Sequence, residues 1–165
     1  MTEETGDFTI REQVRADDVA AVRDLVAATG FFSDEEVAIA AELVQERLDR
    51  GLASGYEFIL ADRDGRLEGY SCYGLIPCST VSWDLYWIAV APAAQGSGLG
   101  RRILALTERR IAEHGGLACY AETSGRDQYV STRAFYERNG YDSGAVFPDF
   151  YAPGDAKHVF VKRLD

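Results

Sequence analysis

VSWDLYWIAVAPAAQGSGLGRRILALTERRIAEHG, residues 81–115, is a strand, a turn and a helix written in one run. The first ten residues are rich in β-branched and aromatic side chains and read as a buried strand ending near Val90. The last third carries Leu99, Ile103, Leu106 and Ile111 at helical spacing among arginines and glutamates. Between them a turn starting at Pro92 holds Gly96, Gly98 and Gly100. Glycines let a ligand approach the backbone, and the positive end of the following helix dipole favours an anion at its first turn.

Spacing decides which anion-binding turn this is. A dinucleotide fingerprint begun at Gly96 needs glycine at 101, where Arg101 stands. A Walker loop needs G-K-[ST], and Gly100 is followed by Arg101 and Arg102. Gln95-Gly96-Ser97-Gly98-Leu99-Gly100, directly after I-A-V-A-P, has the form Q-x-x-G-x-G. With that strand, proline and amphipathic helix, it resembles the pyrophosphate loop of the GNAT superfamily of acyl-CoA-dependent N-acyltransferases. The resemblance implies acetyl-CoA as co-substrate, and no metal is expected. It places the pyrophosphate on the amides of residues 96–101, with Gln95, Gly96, Ser97, Gly98, Leu99, Gly100 and Arg101 around it.

A second segment, Ala134–Tyr141 (AFYERNGY), resembles the family's F-Y-x-x-x-G-[FY]. The resemblance puts Tyr136 beside the acyl-CoA sulfur, as the acid that protonates the departing thiolate. A thiol of pKa about 8.5 leaves fairly well unaided, so a phenol adds a modest but useful proton. Many members carry asparagine seven residues before this tyrosine, against the pantetheine arm. Here that position is Tyr129, with Ser131 as the candidate substitute. The resemblance also places backbone groups of Ile88 and Val90 towards the cofactor.

The rest of the chain supplies the frame. Residues 7–14 suggest a first strand. Asp17 and Asp18 then lead a helix with Val19, Val22, Leu25 and Val26 on one face. Ser33 and Glu36 form a capping box for a second helix, whose stripe is Val37, Ala40, Ala41, Val44 and Leu48. Strands are expected at 56–61, 67–76, 117–123, 141–147 and 158–164, and a short helix at 131–139, with a long loop over 148–155. The order β-α-α-β-β-β-α-β-α-β-β describes an α/β (α+β) fold around one mixed sheet, which the resemblance makes mostly antiparallel. One acyltransferase domain over 1–165 is expected, long enough to bury about two-thirds of its unfolded surface.

Candidate chemistry on this frame falls to a few side chains. In a regular strand Asp84, Tyr86 and Ile88 share one face, and Leu85, Trp87 and Ala89 the other. Asp84, or Glu122 at the end of the fifth strand, is the candidate general base, and the alternation does not choose between them. A lysine-like acceptor of pKa about 10.4 costs about 4.6 kcal/mol to deprotonate at pH 7, whereas an α-amine near 8 costs about 1 kcal/mol. The want of an obvious base tilts the expectation towards an α-amine. Phe31, Phe32, Tyr73, Asp84, Tyr86 and Tyr151 are the candidate acceptor wall.

Composition limits the partners. A net charge of −10 argues against nucleic acid as the main partner and is compatible with a cationic small molecule. The polar N-terminus and the lack of a long apolar run lead to a cytoplasmic expectation with no membrane partner. Cys72, Cys78 and Cys119 are expected as reduced core thiols, and with His114 and His158 they show no zinc spacing. The expected partner is a small-molecule or peptide amine, with a homodimer left open. The rival readings are a non-catalytic acyl-CoA-binding regulatory domain and another nucleotide-binding α/β enzyme.

Overall fold

The computed structural model describes residues 3–5 and 7–165, with side chains from residue 7 onward. Its strands are β1 (Glu3–Thr5), β2 (Phe8–Arg11), β3 (Glu57–Arg63), β4 (Arg66–Leu75), β5 (Ser82–Val90), β6 (Ala118–Ser124), β7 (Asp142–Ala152) and β8 (Asp155–Arg163). Its helices are α1 (Asp18–Ala28), α2 (Asp34–Arg50), α3 (Leu99–Glu113) and α4 (Val130–Arg138). Hydrogen-bonded neighbours follow the order β1-β2-β3-β4-β5-β6-β8-β7. The β5–β6 pair is parallel, whereas β1–β2, β2–β3, β3–β4, β6–β8 and β7–β8 are antiparallel. The expected mixed sheet and four helices are present, with β1 as one added strand at the start.

The chain divides into two compact units. One comprises the residues up to Gly74 together with Trp87–Arg109. Its core joins Val22, Leu25 and Val26 of α1 and Val37, Ala40 and Val44 of α2 to Phe58, Leu60, Tyr70, Cys72 and Ala89 of the strands. Helix α2 starts where the spacing predicts. Ser33 Oγ accepts from the Glu36 amide at 3.2 Å, and Glu36 Oε1 accepts from the Ser33 amide at 3.1 Å. Such a cap is worth about 1 kcal/mol. Leu48, expected on the buried stripe, is exposed, because it falls in the last turn beyond Val44.

On the other face of β4, α3 packs closely. A Cβ on Gly69 would come within 2.8 Å of Ile103 Cδ1 and 3.1 Å of Leu99 Cδ2, so the missing side chain is what lets the helix approach. Two residues on, the Ser71 and Thr107 hydroxyls bond each other at 2.7 Å, which satisfies two polar groups that would otherwise be costly to bury. At the start of the unit, Arg11 is clamped between Asp18 of α1 and Asp62 of β3.

The second unit comprises Leu75–Tyr86 and Arg110–Asp165. Gly116 sits against Ile111 and Trp83, and Trp83 stacks on His114 with ring centroids 5.5 Å apart. Tyr136 of α4 packs among Tyr141 and Phe160. The expected loop at 148–155 is a correction: β7 continues to Ala152, and the turn is Pro153–Gly154. Phe147 pairs with Lys157 and Ala152 with Asp155, so the four β7 residues between these pairs oppose Ala156 alone on β8. The surplus bulges around Asp149, whose φ is 55° and whose Oδ1 accepts from the Gly154 amide at 2.7 Å. Prolines at 148 and 153 gave that segment the look of a loop.

Cys78 is a second correction. It is exposed, in the turn after Pro77 with φ 71°, whereas Cys72 and Cys119 are buried. None of the three is joined in a disulfide.

Candidate functional site

In the first unit β5 ends at Val90, Pro92–Ala94 makes one 3₁₀ turn, and Gln95 is extended with its Nε2 donating to Val90 O at 3.3 Å. Gly96 and Gly98 have φ of 79° and 85°, a region that side chains strain to reach, and their missing Cβ positions face open space. Gly100 is different: it lies inside the first turn of α3, so two of the three glycines shape the turn. Ser97 Oγ donates to Ala94 O and lies 3.4 Å from the Leu99 amide. Gly98 O accepts from the Arg102 amide at 3.1 Å. The amides of Gly100 and Arg101 therefore come before that helical bond, as orphan donors of a helix start do. Leu99 is buried beside Gly69, so it offers its backbone rather than its side chain. Ile88 and Val90 are half-buried at the end of β5.

This arrangement fits a diphosphate. Donors in sequence, a helix start and no side chain over the two left-handed glycines are what an anion of that size requires. Phe31 is exposed, and Phe32 meets Trp87 edge-on at 5.0 Å. Tyr73 is only 1% exposed, so the structure encloses it instead of setting it on an open wall. The alternation of β4 puts it on the face of Gly69 and Ser71.

In the second unit the carboxylates are brought together. Asp84 pairs in register with Tyr120, which places it on the face of Glu122. Glu122 Oε1 lies 3.1 Å from Lys157 Nζ, and Lys157, opposite Ser124, shares that face. Lys157 Nζ also stands 4.4 Å from the ring centroid of Phe150. Asp84 is half-buried. Burial first, and then the charge of Glu122, push its carboxyl above the usual range, while Lys157 works in the opposite sense. Tyr86 is exposed, and Tyr151 makes an edge-on pair with Phe150 at 5.0 Å. The β5–β6 register covers Ser82–Leu85 against Ala118–Ala121, and Glu122–Ser124 pair with β8 alone among the described residues.

Tyr136 occupies the opposite face. Its ring stacks on Phe160 at 5.4 Å and meets Tyr141 at 5.4 Å and Phe135 at 5.6 Å. Phe160 is the register partner of Ala121, one position before Glu122, so strand alternation separates the tyrosine from the carboxylates. Burial pushes the Tyr136 hydroxyl well above the usual phenol range, with Cys119 adding to it. The group is therefore a held proton at neutral pH. Tyr129 is buried with the Arg126 guanidinium 5.6 Å from its ring centroid, and Ser131 is exposed in the first turn of α4.

Lys157 and its contact with Phe150 escaped the sequence reading. Its one visible signal is that Lys157 and Lys162 are the only lysines among 17 Lys and Arg residues.

Comparison with known proteins agrees with this picture. Residues 54–143 match the model of the acetyltransferase (GNAT) domain. The chain is 38% identical over 82 residues to blasticidin-S acetyltransferase of Streptomyces morookaense, a match that covers 49% of this chain and 55% of that protein. The chain thus spans about half the length of that relative. A GNAT-family protein of Desulfovibrio desulfuricans is similar in structure, with a TM-score of 0.94 and 45% identity, over 96% of this chain and 99% of the other. An aminoglycoside 6'-N-acetyltransferase solved with coenzyme A shares the fold, with a TM-score of 0.74 at 20% identity, over 94% and 97% of the two chains. No helix of the described residues is long and apolar enough to cross a membrane.

Proposed function

We propose, from the premise that this chain belongs to the GNAT acetyltransferase family, that residues 1–165 act as one N-acetyltransferase domain that moves an acetyl group from acetyl-CoA directly to a primary amine. The observation that carries this reading is the Gly96–Arg101 turn, with two left-handed glycines in open space ahead of a 15-residue helix. Acetyl-CoA supplies an activated acyl thioester. The residues that would hold its diphosphate are Gln95, Gly96, Ser97, Gly98, Leu99, Gly100 and Arg101, through backbone amides and, at 101, a guanidinium. Ile88 and Val90 offer strand-end backbone groups, and Tyr129 and Ser131 are the α4-side candidates for the pantetheine arm.

Asp84 and Glu122 are the candidate bases. An amine acceptor must lose a proton before it can attack, and for a lysine-like amine that step costs about 4.6 kcal/mol at pH 7. A carboxylate whose pKa is raised accepts that proton at a smaller cost than an ordinary one. Tyr136, on the other face, holds the proton that a departing thiolate needs. Phe31, Phe32, Tyr86 and Tyr151 are the remaining candidates for contact with the acceptor; Tyr73 drops out because it is enclosed. The similarity to blasticidin-S acetyltransferase supports a small-molecule amine as acceptor.

Thiol release tests the reading. Acetyl-CoA incubated with the protein and a panel of amino acids, polyamines, amine antibiotics and peptides is expected to give free thiol only where an acceptor is present, in step with acetylated product. Binding of acetyl-CoA without release against every amine class would overturn the transferase reading in favour of a regulatory domain.

A further inference from the structure

Lys157 lies on the carboxylate face of β8 and touches two of its features at once. Its Nζ is 3.1 Å from Glu122 Oε1 and 4.4 Å from the Phe150 ring centroid, and its side chain is 17% exposed where that of Glu122 is 50%. A lysine is a compact point charge on a flexible stem, so a fixed position has to come from its partners. Here a carboxylate holds the ammonium from one side and an aromatic face from another. The ring belongs to the bulge of β7, whose surplus residues carry Phe150 out of the regular ladder.

Asp84 senses this arrangement. The charged and titratable groups that face it are Glu122 and its register partner Tyr120 on β6, and Lys157 on β8. We infer that Lys157 is a positioning residue that gives the two carboxylates unequal duties: it holds Glu122 in an ion pair and leaves Asp84 as the group that takes the proton from the acceptor amine. In that step an ammonium N–H bond breaks, the proton passes to an Asp84 carboxylate oxygen, and the nitrogen keeps the lone pair with which it attacks the acyl carbon. Burial raises the proton affinity of Asp84, Glu122 adds to the rise by like charge, and Lys157 limits it. The charge arrangement stands on this structure alone. Only the identity of the proton's source rests on the acetyl-transfer reading.

The experiment uses the full chain. Carboxyl-carbon NMR follows the titration of Asp84 in the unaltered protein, K157M, K157R and E122Q, and the pH profile of kcat/KM is measured alongside with any amine that is turned over. Loss of the cation in K157M is expected to raise the Asp84 midpoint by about one unit, and loss of the like charge in E122Q to lower it. K157R, which keeps the charge, is expected to stay near the unaltered value. The acid limb of the rate profile should move with the midpoint and vanish in D84N. A role in packing alone would change the melting temperature without opposite movements of the midpoint. Midpoints that stay put, or move the same way in K157M and E122Q, overturn the inference, as does an acid limb that persists in D84N. Should K157M fail to fold, E122Q and K157R still decide between these results. Midpoints that move as stated with no amine acetylated support the charge arrangement and count against the transferase reading, so the two fail separately.

Discussion

Replacing Arg11 by methionine is expected to destabilise the protein by about 3–5 kcal/mol, the cost of leaving a buried charge without its partner. Arg11 is 6% exposed, and its guanidinium donates to both Asp18 oxygens at 2.8 and 2.7 Å, to Asp62 Oδ2 at 2.6 Å and to Gln13 O at 2.8 Å. Burial works against its charge, yet these carboxylates raise its pKa above the ordinary value. Asp18 is 3% exposed and also accepts the Arg15 amide at 2.7 Å, so it cannot turn out to solvent when Arg11 is lost. The cluster ties the start of α1 to β2 and β3. Denaturant unfolding measures the effect. Pairing the change with Asp18→Asn should recover part of the loss, because the uncompensated charge is then gone. A loss below about 1 kcal/mol would mean that the cluster relaxes into water.

Tyr136→Phe is expected to lower kcat about 100-fold while acetyl-CoA affinity stays within about twofold, the signature of a group that acts only as the reaction proceeds. The substitution removes one oxygen and keeps the ring against Phe160, Tyr141 and Phe135. Steady-state kinetics with a calorimetric acetyl-CoA titration separates the two quantities. Equal loss of affinity and turnover would instead assign the hydroxyl to binding. An unchanged kcat would leave the thiolate to depart without this acid, which its pKa of about 8.5 permits.

What the sequence made legible was local. The Ser33–Glu36 cap lies within one helical turn, and the glycine turn follows its strand directly, so short spacings were enough. The resemblance supplied the element order that joined such pieces. Long-range facts were less visible. The extension of β7 past Pro148 depends on pairing with β8, which accommodates Pro148 in a bulge that no local spacing announces. Tyr73 had the chemistry of a pocket wall, but its exposure is set by what covers β4. Lys157 carries no motif. Its place beside Glu122, far back in the chain, follows only from the β6–β8 register. Asp84 and Tyr86 were placed on one face by alternation alone, and the burial pattern of β5 agrees, with Trp83, Leu85 and Ala89 as the buried set.

The claim on which the account depends is that backbone amides at the start of α3 grip the diphosphate of acetyl-CoA. Titrating acetyl-CoA into nitrogen-15-labelled protein while following the amide resonances of Gly96, Gly98, Gly100 and Arg101 tests it most directly. These four are expected to shift most and to saturate together. Acetyl-CoA that fails to bind, or that binds with its largest shifts elsewhere while these amides stay still, would contradict it.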